Sequence, residues 1–142
     1  MKYNFNLSLT AFIFAILSTT TNVYAGGGTK LDCKGESAIE DASMDGKYES
    51  KDGRNKFSAS FGAAPGGTAA VGHVLNVKVG DEVVGSMTLA TQLNGDIGGD
   101  LDFDTNVETS VPTDDTVPFP VNFPAVAAGT VVKIGTIECV LN

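Results

Sequence analysis

Basic charge, histidine, tryptophan, cysteine and long apolar runs are all scarce in this chain, and each scarcity narrows what it can be. Nine Lys and Arg stand against 17 Asp and Glu, giving a formal net charge of −8. Nucleic acid is bound through Lys and Arg on its phosphates, so no nucleic-acid partner is expected. Anionic lipid surfaces are disfavoured for the same reason. A strong net charge does help to keep a small protein soluble and monomeric.

Catalytic equipment is equally thin. His73 is the single histidine, and it begins an alternating segment directly after a glycine-rich loop, where a surface or strand-edge role is expected. No GxSxG nucleophile elbow occurs, and Gly85-Ser86-Met87 lies within a hairpin arm. The phosphate-cradling loop, the dinucleotide fingerprint and the HExxH metalloprotease helix are all missing from the sequence. A glycosidase working through paired carboxylates needs one acid with a raised pKa in a cleft, and the sequence signals no such cleft. The expectation is a non-enzymatic protein with no catalytic residues.

Cys33 and Cys139 are the only cysteines, 106 residues apart. They form no CxxC pair, and two thiolates alone do not make a zinc site. In an exported protein an even count of two implies one disulfide, with a single possible pairing. Closing a loop of about 100 residues contributes up to roughly 4–5 kcal/mol in the chain-entropy model. The pairing predicts that the strand near Leu31 lies beside, or directly across the core from, the strand ending at Leu141.

Export itself is read from the first 25 residues. Lys2 supplies a positive start, Leu7 to Leu17 (LSLTAFIFAIL) an apolar core, and Val23-Tyr24-Ala25 a cleavage site. The apolar run is about half the ~20 residues that a membrane-spanning helix needs. Residues 1–25 therefore read as a cleaved secretory signal peptide, and residues 26–142 as a single exported domain, periplasmic or extracellular. No cysteine follows the cleavage point, so lipid attachment there is not expected. No second long apolar stretch follows either, so no membrane insertion is expected after cleavage.

Beyond the leader, alternation and turn signals dominate. Glu36 to Met44 is compatible with one short helical turn, but Ala38, Ile39, Ala42 and Met44 give it a thin apolar face. Lys51-Asp52-Gly53-Arg54 between alternating runs is a hairpin cue, because Gly accepts the positive φ such turns need. Phe57, Ala59 and Phe61 then face one side, with Lys56, Ser58 and Ser60 on the other. Gly62 to Gly72 reads as a loop. A second hairpin places Leu75, Val77 and Val79 inward, turns at Gly80-Asp81, and returns with Met87 and Leu89 inward. Asn94-Gly95 marks another turn, and Val131 to Ile134 and Ile137 to Leu141 close the domain around Gly135. The expected fold is all-β: a small β-sandwich or Greek-key barrel of about seven antiparallel strands, closed by one disulfide. The lack of tryptophan argues against a true antibody-type domain, so the immunoglobulin-like likeness is one of architecture alone.

Two stretches attract functional readings. Asp96 to Glu108 (DIGGDLDFDTNVE) places acidic or amide side chains at 96, 100, 102, 104, 106 and 108 and Leu101, Phe103, Thr105 and Val107 at odd positions. On a strand, this period of two puts the carboxylates on one face. The plainer reading is a half-buried strand with a solvated acidic face. The alternative is a calcium site on Asp100, Asp102 and Asp104, with Asp114 and Asp115 available from the next loop. Adjacent same-face side chains stand about 7 Å apart, so two carboxylates can lean toward one ion. The stretch from Asp100 to Glu108 spans about 27 Å, so the whole set cannot converge on an ion without curling. It is not a helix-loop-helix calcium loop, since position six is Thr105 and position twelve is Val111. Val111 to Ala128 carries four of the five prolines, with Phe119 and Phe123 between them. The plainer reading is an extended connection whose rings cap the open end of the core. The alternative is an aromatic grip for a protein or carbohydrate partner. Self-assembly through an unpaired edge strand is a further candidate contact. The leading expectation is an exported structural or binding module of unknown ligand.

Overall fold

The computed structural model describes residues 27–107 and 116–142, and within them the protein is all-β. Strand β1 (Thr29–Ser37) runs antiparallel to β2 (Ala42–Lys51), and β2 to β3 (Arg54–Ala63). Asp52 and Gly53 alone join β2 to β3, with φ of 51° and 78°. Two positive φ angles in a two-residue loop are the signature of a type I′ turn, whose twist matches that of the flanking strands. A second hairpin pairs β4 (Val74–Val79) with β5 (Glu82–Thr88), with a register shift between Val77 and Lys78. Short β6 (Ala90–Thr91) then leads into β7 (Ile97–Asp104), and β8 (Val117–Pro118) precedes the closing hairpin of β9 (Val131–Ile134) and β10 (Ile137–Val140).

These strands form two sheets. The first is ordered β1-β2-β3-β7-β6, with β8 also on β7, and the second β10-β9-β4-β5. Two seams join them. At one, Leu89 carries the chain from β5 into β6 and is almost fully buried. Its N–H donates to the His73 carbonyl, and its own carbonyl accepts from Gly72, each at 2.8 Å. At the other, Asp32 and Asn142 exchange two backbone hydrogen bonds of 3.2 Å. Beside them lies the Cys33–Cys139 disulfide, with α-carbons 5.6 Å apart. The expected strand adjacency is therefore present. The backbones are so close here that a β-carbon on Gly35 would lie 2.7 Å from the Glu138 carbonyl oxygen.

The core fills the space between the sheets, with Met44, Phe57, Val77, Val79, Leu89, Val132, Ile134 and Leu141 among its most buried side chains. Burying a side chain of this size contributes about 1.5–3 kcal/mol. Gly85 in β5 is a fitting point of the core. A β-carbon there would meet Leu101 Cδ2 at 2.9 Å and Phe103 Cζ at 3.2 Å, so the two large β7 side chains occupy the space that a side chain on β5 would need.

The structure departs from the sequence expectation in three places. Residues 38–41 form a turn with Asp41 at φ 45°, not a helical turn, and Ala42 and Met44 are buried strand residues of β2. Tertiary pairing with β1 and β3 overrides the weak helical pattern. Among the described residues there are ten strands rather than about seven, and two of the additional ones, β6 and β8, are two-residue pieces too short to show a periodicity. Among the described residues one pairing is parallel, that of β7 with β8. Pro118 sits in this short outer strand, where a missing N–H is tolerated.

Candidate functional site

Because β1, β2, β3 and β7 pair in continuous register, their outward side chains fall into rows across the first sheet. Lys30, Glu49, Lys56 and Asp104 make one row, and Asp32, Lys47, Ser58 and Asp102 the next. Lys34, Asp45, Ser60 and Asp100 make the third. Charges of opposite sign meet both along and between rows. Lys30 lies 3.9 Å and Lys47 3.2 Å from Glu49, and Lys34 lies 3.3 Å from Asp45. Each such exposed pair contributes little on its own, about 0–1 kcal/mol.

Asp104 is different: it is the one buried charged residue among those described. Arg54 Nε donates to its Oδ1 at 2.9 Å while Arg54 Nη2 donates to Oδ2. Lys56 Nζ stands 3.5 Å from Oδ2, and the Asn106 amide donates to Oδ1 at 2.9 Å. The Arg54 hydrogen bonds hold the Asp104 carboxyl well below the usual carboxylate range, against the opposing effect of burial, with Asn106 and the charges of Arg54 and Lys56 adding to the depression. The Asp104 carbonyl also accepts from the Phe119 amide at 3.2 Å. One residue thus ties the start of β3, the end of β7 and the segment after β8 together.

The other two candidate calcium ligands are less engaged. Asp102 Oδ1 accepts from the Ser58 hydroxyl. Asp100 is raised above the usual carboxylate range, first by burial and then by the charge of Asp102. All three carboxylates share the outer face, as the alternation implied, but Asp104 is already held by Arg54 and Lys56. Among the described residues no group of three or more His, Cys, Asp or Glu is arranged to hold a metal. Asp114, Asp115 and Glu108 lie outside the described residues.

Phe119 and Phe123 are half-buried rather than displayed. Their ring centroids are 4.5 Å apart, and Phe123 lies 5.2 Å from Phe57 and 5.9 Å from Phe103. Phe119 meets Phe103 edge-on at 6.1 Å. Offset and tilted pairs at such distances add about 0.5–1.5 kcal/mol each, and these rings extend the core at the end of the sandwich. The backbone of His73 is engaged, its amide donating to the Ala70 carbonyl and its carbonyl accepting from Leu89, while its side chain is exposed.

A cleft of about 230 Å3 opens over the second row of the charged face. Lys47, Glu49, Lys56, Ser58, Asp102, Asp104 and Thr116 line it, with Phe57 and Phe103 beneath. The sequence reading singled out Asp102 and Asp104 but not Lys47, Ser58 or Thr116. Strand pairing brings these together, and nothing in the local sequence signals it. The one usable sign was the Asp-Gly turn, which sets β2 against β3 and thereby places Lys47 opposite Ser58.

No helix among the described residues is long and apolar enough to cross a membrane. The chain matches no protein-family model, no curated protein and no solved structure.

Proposed function

We propose that the protein is an exported, non-enzymatic structural or binding module that works by presenting a rigid surface. The observation that carries this reading is the outer face of the first sheet. Its ionisable side chains are set in cross-strand rows and paired with one another. Fixed strands hold these groups in place, so a partner would meet them without first ordering a loop, which lowers the entropic cost of binding. Export is supported by the layout of residues 1–25 and by a disulfide that bridges the two sheets, a bond that persists in oxidising compartments. Expression of the full chain in a secreting host is expected to yield a product beginning at Gly26 with both cysteines oxidised. Intact mass measured with and without reductant checks this. A cytoplasmic, reduced product that keeps residues 1–25 overturns the proposal.

The calcium-stabilised reading rests on the placement of Asp100 and Asp102 side by side on the outer face of β7, where partial burial and then the Asp102 charge raise the Asp100 pKa, a repulsion that a cation would relieve. Against it stands the compensation of Asp104 by Arg54 and Lys56. A ligand at 100 times its Kd stabilises by about 2.7 kcal/mol, so a rise in Tm with millimolar calcium, reversed by chelator, supports this second reading. An unchanged Tm removes it.

A further inference from the structure

We propose that the cleft bounded by Lys47, Glu49, Lys56, Ser58, Asp102 and Thr116 binds one neutral, pyranose-sized carbohydrate unit; this deepens the binding-module reading and rests on it. The argument begins with charge. Two ammonium groups, Lys47 and Lys56, face two carboxylates, Glu49 and Asp102, around the opening. Asp104 adds little further charge, because Arg54 pairs with both its oxygens and the Asn106 amide donates to one of them. A charged ligand would meet groups of its own sign as often as groups of the opposite one. A neutral ligand avoids that conflict.

The hydrogen-bonding inventory points the same way. Each lysine carries three donors. Lys47 is placed for one bond to Glu49 at 3.2 Å, and Lys56 for one to Asp104 at 3.5 Å, leaving donors directed elsewhere. Asp102 accepts from Ser58 through Oδ1, and its Oδ2 receives no hydrogen bond among the described residues. The cleft therefore sets strong charged donors beside a strong charged acceptor. A sugar hydroxyl is both donor and acceptor, and neighbouring ring hydroxyls can give to the carboxylate while accepting from an ammonium. Hydrogen bonds with one ionised partner are roughly twice as strong as neutral ones.

Geometry limits the size of the ligand. Lys47, Ser58 and Asp102 occupy successive strands of one row, at the inter-strand spacing of about 4.8 Å. The α-carbons of the row thus step across about 10 Å, the scale of one sugar ring with its substituents, with the Ser58 hydroxyl drawn onto Asp102 and the Lys47 ammonium drawn toward Glu49. The cleft volume of about 230 Å3 falls below the ~300–1,000 Å3 of pockets that enclose drug-sized ligands. One ring would sit in the cleft while the rest of a longer glycan lay in solvent. The buried Asp104 cluster and the Phe57–Phe103 pair beneath hold the floor rigid.

The test uses the oxidised protein as secreted from the full chain, titrated with neutral oligosaccharides ending in glucose, galactose, mannose or N-acetylglucosamine. Uronate-containing and sulfated oligosaccharides are titrated in parallel. At least one neutral class is expected to bind, and Lys47→Ala and Asp102→Asn are each expected to weaken that binding about tenfold or more, the loss of one charge-assisted hydrogen bond. Both side chains are outside the core, so Tm should stay near that of the unaltered protein, which separates loss of ligand from loss of fold. Absence of neutral binding at millimolar glycan overturns the proposal, as does neutral binding that both variants leave intact. Preferential binding of anionic glycans, abolished by Lys47→Ala, overturns the neutral assignment but leaves the binding-module reading standing. That reading fails separately, on the export and oxidation measurements described above.

Discussion

The two sheets of this sandwich carry their charge very differently. The outer face of the first presents cations and carboxylates on each of three rows, with a serine hydroxyl in two of them. The outer face of the second sheet is sparse: Lys78 stands directly opposite Lys133, and Lys133 has Glu138 3.9 Å away. Around them Val83 and Val140 are about half exposed. The inner faces, in contrast, are alike, since both supply aliphatic and aromatic side chains to one core. Burial constrains the inner faces equally, whereas solvent leaves the outer faces free to differ. The dense, register-fixed pattern on one outer face is the basis of the proposed binding surface, and the seams that hold the sheets together carry the stability.

The largest effect should come from breaking what joins the sheets. Replacing Cys33 and Cys139 by Ser is expected to cost about 4 kcal/mol, read as a fall in the denaturation midpoint with a steeper slope, because the unfolded chain is no longer held in a loop and exposes more surface. A loss below about 1 kcal/mol would mean that the Asp32–Asn142 backbone bonds close this seam alone. Next comes Gly35→Ala, whose new β-carbon would meet the Glu138 carbonyl at 2.7 Å. Overpacking of this kind costs about 1–3 kcal/mol, and because the obstacle is backbone, the seam must widen. Denaturation of the variant with and without reductant shows whether the disulfide resists that widening.

Asp104→Ala should follow, at about 1–3 kcal/mol, since it leaves Arg54, Lys56 and the Asn106 amide without their acceptor. The same group gives the molecule an acid limb. Its folded pKa lies below its unfolded value, so its stabilisation is complete above the ordinary carboxylate pKa of about 3.9 and is lost as pH falls through the folded pKa. Asp100 works in the opposite sense, since its raised pKa makes protonation on acidification relieve strain in the fold. Thermal melts from pH 5 down to pH 2 should therefore fall less steeply for Asp104→Asn than for the unaltered protein. Equal slopes would show that the Asp104–Arg54 pair does not persist in solution.

The smallest effect belongs to the exposed rows. Lys34→Ala removes the 3.3 Å pair with Asp45 and should change stability by less than about 1 kcal/mol. A larger loss would show that the rows act as one network rather than as separate pairs.

Much of the fold could be read from local signals. The Asp52-Gly53 turn, the inward set of Leu75, Val77, Val79, Met87 and Leu89, and the glycine at the closing hairpin each depend on residues close in sequence. Leu75 alone among those five is only partly buried. The helical turn suggested for Glu36 to Met44 failed because a short segment with few apolar residues has no strong preference of its own, and pairing to β1 and β3 decides its form. The acidic strand was legible as a one-faced pattern, but Asp104 was not legible as a buried residue. Its burial depends on Arg54 and Lys56, some 50 residues earlier, which register alone brings across from β3.

By itself the sequence determined the class of fold, the inward and outward faces of the main strands, and the pairing of the two cysteines, because periodicity, turn chemistry and a single possible disulfide are local or arithmetic properties. The tertiary structure alone decided which strands are neighbours, and hence that Lys47, Ser58 and Asp102 share a row above a cleft. Strand order depends on contacts between distant segments competing for one core, and no stretch of sequence records that competition.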